Sequence, residues 1–340
     1  MLVTSVVVFV LINISPIDPV QMNVGQAAYI NMSPEKKAQL AEYWGANTPV
    51  WESYINWFSD AIQGDMGTSL RFNAPVADVV AVRFLNTLAL MFFAWVISGV
   101  LGFFLGLVAA VKRGSLIDKI IKGYCLTLAA TPAFWLGLVF LIVFAVSFGW
   151  FPVGFSVPIG VPASEVTFLD ALHHMVLPAV TLSVIGVANI ALHTREKAID
   201  TMESEYIQFA QARGLSKWQA MRQHGLRNLL MPAITLQFAS IAELFGGSVL
   251  VEQVFTYPGL GGAAVTAGLG GDVALLAAIA LASAALVFAG NLTANILYGV
   301  IDPRIRRSAG TNKKSSGLPP SGQGDLLQPA TEAGVTDVSS

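Results

Sequence analysis

Long apolar runs alternate with polar segments along this 340-residue chain. A membrane-spanning helix needs about 20 predominantly apolar residues. Apolar runs of that order or longer lie at residues 84–111, 120–148, 174–192, 232–250 and 273–300. A shorter run, Leu2 to Ile14, precedes them. The pattern predicts an all-α integral membrane protein with six transmembrane helices.

The first 14 residues are the predicted first transmembrane helix. Leu2 to Ile14 is shorter than a full span. A signal peptide would fit the length, but it would need a basic start and a small-residue cleavage site, and neither is present. We therefore expect a membrane helix whose N-terminal part is missing from this sequence.

Residues 15–83 are predicted to form an extracytoplasmic segment with two short helices. Ser33-Pro34 and Thr48-Pro49 each place a capping residue before a proline that suits the first helical turn. Apolar side chains share one face of the second helix, namely Trp51, Tyr54, Ile55, Phe58 and Ile62. Such a face favours the membrane surface or the outer mouth of the protein.

The second and third predicted spans, residues 84–111 and 120–148, contain glycines and a proline that affect helix packing. Gly99, Gly102 and Gly106 permit close helix contact. Pro132 interrupts the third run and leaves backbone carbonyls free in mid-membrane. Such a break suits a water-filled path, and a packing kink explains it at least equally well.

A polar island separates the fourth and fifth runs. Its cations are Arg195, Lys197, Arg213, Lys217, Arg222 and Arg227. Because short cytoplasmic loops hold the excess of Lys and Arg, we expect residues 194–230 to lie in the cytoplasm. With both termini also cytoplasmic, this orientation places 15 of the 19 Lys and Arg residues inside.

Within the island the sequence predicts a helix, a tight turn and a second helix. Glu205 to Arg213 forms the first helix, and Gly214 ends it because glycine enters the left-handed conformation without steric cost. Ser216 caps a second helix that begins at Lys217. The five-helix core then spans residues 84–307, and residues 308–340, rich in Ser, Gly, Pro and Thr, are predicted to be a disordered cytoplasmic tail.

The composition agrees with a membrane protein. Hydrophobic residues make up 54% of the chain and charged residues 12%, against about 25% charged in soluble domains; the mean hydropathy is +0.64. The net charge of -2 says nothing about nucleic acid, but no basic stripe with interleaved aromatics appears, so we expect no nucleic acid partner. The lone Cys125 cannot form an internal disulfide.

Several stretches resemble one family of membrane proteins. Val251 to Gly261, VEQVFTYPGLG, resembles V-E-x-V-F-x-[WY]-P-G-L-G, and Gly64 to Ser69 matches G-D-x-G-x-S. The island fits Y-[VI]-x-x-A-x-A-[KR]-G-L-S through Tyr206, Ile207, Ala210, Ala212, Arg213, Gly214, Leu215 and Ser216. Gln208 and Phe209 depart from the general E-A-A pattern. The chain thus resembles the permease subunits of binding-protein-dependent ABC importers, in the peptide/nickel/opine branch.

The resemblance implies a type I ABC importer permease fold, in a bacterial cytoplasmic membrane, whose island carries the coupling helix. The residues that contact the ATPase would be Tyr206, Ala210, Ala212, Arg213, Gly214, Leu215 and Ser216. The implied partners are a second homologous permease, two ATPase subunits that hold ATP and magnesium, an extracytoplasmic substrate-binding protein and membrane lipid. Di- or oligopeptides would be the substrates, with nickel chelates or opine-type metallophores as the alternative.

The ATP-hydrolysing site is expected on another polypeptide. A phosphate-binding loop needs a Gly-Lys pair, and no Gly-Lys dipeptide occurs in this chain. We therefore expect a non-catalytic subunit that binds no cofactor itself. A stand-alone secondary transporter is the rival from a different class, but no convincing internal repeat supports it.

Polar residues within the apolar runs are the candidates for a substrate path. Glu243 lies about halfway along the fifth run, where a carboxyl group is costly unless it faces a cavity or a partner. It would meet a peptide's amino terminus or a cationic ligand, or else form a hydrogen bond at the contact with the partner permease. Pro132 and Asn291 complete the candidate path, although Asn291 and Asn295 more readily suit bonds between helices.

The remaining candidates concern the outer motif and metal binding. The resemblance implies a structural or gating role near the outer end for Glu252, Pro258, Gly259 and Gly261. The spacing of His173, His174, His193 and His224 does not suit a metal site, because adjacent histidines point to different helix faces.

Overall fold

The computed structural model describes residues 2–14, 19–43, 48–162 and 164–301. These residues are mostly helical, and the sheet found among them has two short strands. The predicted tail, residues 308–340, lies outside the described residues. An all-α architecture is therefore confirmed.

The first part of the described chain forms short helices. They are α1 (Leu2–Ile14), α2 (Pro19–Val24), α3 (Gln26–Ile30), α4 (Pro34–Tyr43) and α5 (Val50–Ile62). The two helices predicted for the extracytoplasmic segment correspond to α4 and α5, whereas α2 and α3 were not predicted. The Ser33 hydroxyl accepts a hydrogen bond from the Lys36 amide at 3.3 Å, as a cap does.

The predicted cap at Thr48 is wrong. Pro49 itself occupies the position before α5, with ψ of 137°, and the helix has no side-chain cap. Thr48 is therefore one residue too far from the helix to bond its first free amides. The apolar side of α5 packs against α1, where the Phe9 ring lies 5.2 Å from Trp57 between ring centroids.

The remaining elements form the main helical body. They are β1 (Thr68–Ser69), β2 (Ala74–Pro75), α6 (Val76–Val111), α7 (Leu116–Ala129), α8 (Ala133–Phe140), α9 (Phe168–Met202), α10 (Glu205–Ala212), α11 (Lys217–Ala220), α12 (Leu226–Ala239), α13 (Ile241–Val254), α14 (Leu260–Gly270) and α15 (Val273–Ile301). π-helical turns follow α8 at Leu141–Ser147 and precede α12 at Met221–Gly225. The antiparallel strands pair Thr68 with Pro75.

In the described part of the chain, three helices are long and apolar enough to cross a membrane: α6, α9 and α15. Two further pairs pass only if each bent pair counts as one span, so the total is at most five. Helix α1 is shorter than these, and the sixth span therefore stays a prediction. Helix α6 begins at Val76 rather than Phe84, so the end of the segment predicted as extracytoplasmic is helical.

The third and fifth predicted spans are not single helices. α7 and α8 meet at 105° around Thr131 and Pro132, because proline lacks an amide hydrogen and forces the preceding residue out of the helical region. The rod from Lys217 to Ala239 meets α13 at 49°. Ser240 lies at that bend and its hydroxyl donates to the Gln237 carbonyl at 2.8 Å, a bond that bends helices.

Helix α9 is the centre of the body. Its most apolar window is 72% buried within this chain, against 28% for the windows of α6 and α15. The predicted close contact through glycines is confirmed, since a β-carbon added at Gly106 would lie 2.4 Å from the Ala191 carbonyl oxygen. A buried ion pair also holds α9, where Arg195 donates to both oxygens of Asp118 at 2.6 and 2.9 Å.

Candidate functional site

The helix-turn-helix segment, residues 204–220, has the local structure that its sequence predicts. Helix α10 ends at Ala212, with Arg213 as its cap residue, and Gly214 has φ of +96°. The Ser216 hydroxyl accepts from the Gln219 amide at 3.3 Å while the Gln219 side chain accepts from the Ser216 amide at 3.0 Å. This reciprocal capping box starts α11 and orients it against α10.

A small apolar core supports the helix-turn-helix segment from beneath. Ile207, Ala210 and Ala220 are buried, and Leu215 packs against them. The predicted contact residues therefore divide into two groups. Ala210 is buried and Leu215 half-buried, whereas the exposed ones are Tyr206, Ala212, Arg213, Gly214 and Ser216.

Large apolar side chains remain uncovered on the outer surface of the segment. Phe209 is 66% exposed, Tyr206 44% and Trp218 43%. Phe209 and Tyr206 border a hollow of about 500 Å³, which is lined by Tyr206, Phe209, Ala210, Arg213, Leu215, Gln223 and His224. Exposed aromatic side chains beside an arginine are typical of a protein contact surface. The predicted set of contact residues did not include Phe209 and Trp218, because their exposure depends on which face the small core covers.

Polar contacts join the segment to the rest of the chain. The Asn228 amide donates to the Tyr206 hydroxyl at 3.0 Å. Glu203, just before the segment, pairs with Arg113 at the end of α6. The segment is therefore attached to α12 and to the turn between α6 and α7.

A second polar site surrounds Glu252 near the end of α13. Glu252 is 1% exposed. One carboxylate oxygen accepts from the Thr87 hydroxyl at 2.7 Å and the other from the Gly262 amide at 3.0 Å. Thr87 in turn accepts from the Leu260 amide at 2.7 Å. The Glu252 loop, residues 252–262, is thus bonded to α6 and to the start of α14.

Two glycines of this loop, Gly259 and Gly261, have no room for a side chain. A β-carbon at Gly259 would lie 2.2 Å from the Glu252 carboxyl carbon, and one at Gly261 would lie 2.7 Å from the Val249 α-carbon. The carbonyl of Pro258 accepts from the Asn86 side chain at 2.9 Å. Burial, and then the Glu252 carboxylate, raise the pKa of the Tyr257 hydroxyl to about 12.

A further buried carboxylate, Asp272, lies between α14 and α15. It accepts from the Ser69 hydroxyl at 2.7 Å, the Arg71 amide at 3.2 Å and the Leu275 amide at 3.2 Å. The strand pair is thereby attached to the start of α15. No feature of the sequence pointed to this contact, because Ser69 and Asp272 are 203 positions apart.

The three candidate path residues do not form one cluster. Glu243 is exposed in the first turn of α13 and accepts from the Asn189 side chain at 3.3 Å. Pro132 is exposed at the bend between α7 and α8, and Asn291 is exposed on α15. Gly290 packs on Ile241, which brings that part of α15 beside the start of α13. Asn189 is the partner that sequence reasoning missed.

Two of the four histidines, His173 and His174, form hydrogen bonds with backbone carbonyls. His173 bonds the Trp150 carbonyl and His174 the Gly154 carbonyl, both at 2.9 Å. Within the described residues, no three His, Cys, Asp or Glu side chains are grouped as a metal site would require. These two bonds attach the loop before α9 to its first turns.

Comparison with known proteins places the chain in a family. Residues 102–307 match the family of the binding-protein-dependent transport system inner membrane component. The chain is 35% identical over 304 residues to the oligopeptide transport system permease protein AppB of Bacillus subtilis (strain 168), covering 88% of this chain and 93% of that protein. It is 31% identical over 320 residues to the dipeptide transport system permease protein DppB of Escherichia coli (strain K12), covering 89% and 94%.

A third relative has the same extent of similarity. The di/tripeptide transport system permease protein DppB of Pseudomonas aeruginosa (strain UCBPP-PA14) is 32% identical over 317 residues, with 89% of this chain and 94% of that protein covered. The family match and these relatives agree with the apolar helices of the structure. The chain therefore belongs to the family of binding-protein-dependent transport system inner membrane components.

Proposed function

We propose that this chain is one permease subunit of an ATP-driven importer of di- or oligopeptides. The relatives named for oligopeptide, dipeptide and di/tripeptide transport support this substrate class. The chain forms half of a translocation path, and a second homologous permease forms the other half. An extracytoplasmic binding protein delivers the peptide, and two ATPase subunits bind ATP and magnesium.

The helix-turn-helix segment is the observation that carries this proposal. It leaves Phe209, Tyr206 and Trp218 uncovered, the first two of them at a hollow, and it lies within the polar island that carries six cations. In our proposal this surface faces the cytoplasm, as do both termini, and docks on an ATPase subunit. Arg213 contributes a positive charge at the rim of the contact.

The continuous helical rod from the segment supplies the route for mechanical coupling. Residues 217–239 run from α11 to the bend at Ser240, beyond which α13 carries Glu243 at one end and Glu252 at the other. A rotation of α11 by the ATPase is transmitted along this rod because helices are stiff and the segment is bonded to it. The Glu252 loop then forms the fixed outer boundary of alternating access.

Phe209→Asp and Arg213→Glu test the coupling surface. Loss of a central aromatic side chain at an interface commonly costs about 2 kcal/mol or more, which corresponds to roughly a 30-fold weaker contact. We expect the Phe209→Asp chain to lose its ATPase subunits on purification, and Arg213→Glu to separate ATP hydrolysis from peptide import. Gly214→Pro should act like Arg213→Glu, because proline cannot adopt a positive φ.

Lys36→Glu is the matched charge reversal, since Lys36 is an exposed lysine on α4, away from the segment. It should import peptide and hydrolyse ATP like the unaltered chain. Correct insertion of every variant is checked by its recovery from the membrane fraction. Coupled import at the unaltered rate in both Arg213→Glu and Gly214→Pro would contradict the proposal. So would purification of the unaltered chain from its own membrane without any ATP-hydrolysing companion.

A further inference from the structure

One face of α13 is exposed and differs in chemistry from the other exposed faces. Glu243, Gly246, Leu250 and Gln253 lie on it at successive helical turns, and all are exposed. The opposite side of α13 is buried through Leu244, Ser248, Val251 and Glu252. Helix α13 therefore presents a stripe that contains a carboxyl group, a glycine and an amide.

Neutral side chains form the exposed faces of two neighbouring helices at these positions. Helix α6 exposes Val100, Leu101 and Phe104. Helix α15 exposes the apolar side chains of Phe288, Leu292 and Ile296 together with the polar ones of Asn291, Thr293 and Asn295. A carboxyl group is costly in lipid and usually faces a cavity or a partner. Because Glu243 adds such a group, the stripe on α13 is poorly suited to lipid.

The central helix α9 opens toward the same stripe. Most of its residues between 177 and 191 are buried; Val180, Ile185 and Asn189 are half-buried, and the last two lie one turn apart. Asn189 donates to one oxygen of Glu243 at 3.3 Å. Because a carboxylate accepts about four hydrogen bonds, this single bond orients Glu243 and leaves acceptor capacity for a ligand.

The dimensions of the stripe suit a short peptide. Glu243 and Gln253 are three turns apart, which is roughly 15 Å along a helix. An extended chain advances about 3.3–3.6 Å per residue, so the stripe matches a peptide of about four residues. At Gly246 an added β-carbon would meet no atom within 4 Å, so there is open space between the two polar ends.

We propose that Glu243 binds the α-ammonium group of the peptide as it crosses the membrane, with Asn189 as a positioning residue. The peptide backbone passes over Gly246 toward Gln253. A carboxylate and an ammonium group form charge-assisted hydrogen bonds, which are stronger than neutral ones. This inference rests on the proposed peptide import, and it adds a selective contact within the permease itself.

The test compares import of one tripeptide with a free amino terminus and the same tripeptide acetylated there. The complete transporter is assembled in proteoliposomes with Glu243→Gln, Asn189→Leu or no change, always with the same binding protein. For each peptide, the import rate of a variant is divided by the import rate of the unaltered transporter. Because all transporters receive the peptide from the same binding protein, the preference of that protein cancels in this quotient. Glu52→Gln, an exposed carboxyl on α5, is the matched control.

We expect Glu243→Gln to lower import of the free-amino peptide by roughly tenfold or more, because the neutral amide loses the charge-assisted hydrogen bond to the ammonium group. Import of the acetylated peptide and ATP hydrolysis stimulated by the binding protein should stay unchanged. Asn189→Leu should also lower import of the free-amino peptide relative to the acetylated one, by a smaller factor. A general loss of structure would instead lower import of both peptides equally. Glu52→Gln should leave both peptides unaffected.

An equal fall for both peptides, or no change for either, would overturn the inference; the equal fall would identify Glu243 as a contact with the partner permease. Peptide import would persist in these outcomes, so the proposed function would stand. Failure of the unaltered assembly to import any peptide with ATP would overturn both the function and the inference.

Discussion

In the helix-turn-helix segment, the capping bonds join residues three positions apart, whereas Glu252 and Asp272 bind side chains 165 and 203 positions away. The segment exposes its aromatic side chains, while Glu252 and Asp272 are each 1% exposed. The helix-turn-helix segment is thus shaped by bonds between near neighbours, and its side chains are accessible for a contact. The sites of Glu252 and Asp272 are assembled from distant parts of the chain, and both carboxylates are inaccessible.

Because of this difference, we expect substitutions in the two regions to have different consequences. A change on the surface of the helix-turn-helix segment should remove the proposed partner contact and leave the fold intact. A change in the Glu252 loop leaves buried donors without acceptors, which costs free energy of unfolding. The three predictions below test this division, and they run from the largest expected effect to the smallest.

Glu252→Ala should have the largest effect. It removes the acceptor of the Thr87 hydroxyl and of the Gly262 amide inside a buried site, and each buried group left unpaired costs about 1–3 kcal/mol. We expect the free energy of unfolding to fall by about 3 kcal/mol, measured by chemical denaturation in mild detergent. Glu52→Ala, at an exposed site on α5, should change it by less than about 0.5 kcal/mol. Similar small changes in both variants would remove the distinction between the two regions.

Gly259→Ala should have an intermediate effect. Its new β-carbon would overlap the Glu252 carboxyl group, and overpacking of this kind costs about 1–3 kcal/mol. The midpoint of thermal unfolding should therefore fall. At Gly123, inside α7, an added β-carbon meets no atom within 4 Å. Gly123→Ala should raise the midpoint slightly, since alanine favours helices by about 1 kcal/mol over glycine. A lowered midpoint in both variants would show that space at Gly259 is not the cause.

Ser216→Ala should have the smallest effect, confined to the helix-turn-helix segment. Loss of a cap costs about 1 kcal/mol, and here it frees the Gln219 amide. We expect faster hydrogen exchange at residues 217–220 with an unchanged global unfolding midpoint. Ser204→Ala is the control, because Ser204 precedes α10 but its hydroxyl donates to the Thr201 carbonyl and forms no cap bond. A fall of the global midpoint in Ser216→Ala would mean that the segment is not an independent unit.

The positions of the bends were only partly predictable. Pro132 signals its own break, because the missing amide hydrogen and the steric effect on Thr131 are properties of the residue. Pro232 carries the same chemistry and yet lies inside α12, while the second bend falls at Ser240. At that bend the Ser240 hydroxyl donates to the Gln237 carbonyl, and no apolar pattern reports the position of the break. The fifth predicted span, residues 232–250, is therefore broken at Ser240, and it counts as one membrane crossing only if the two bent helices are taken together.

The partner of Glu243 was equally beyond the reach of sequence. A carboxyl group within an apolar run indicates a cost that some neighbour or cavity must offset, but it does not identify the neighbour. Asn189 is 54 positions away, on a helix whose sequence suggests only burial. The same applies to Phe209, whose exposure follows from the packing of Ile207 and Ala210 on the other face of α10.

By itself the sequence determined the membrane setting, the helical class, the turn at Gly214 with its cap at Ser216, and the family. These depend on hydrophobic length, on single-residue conformational preferences and on bonds between near neighbours, all of which are written in consecutive residues. Only the tertiary structure decided the bends, the buried partners of Glu252 and Asp272, and the side of α13 that stays open. These depend on which distant groups meet, because a buried polar atom is stable only beside a partner that the folded chain brings to it.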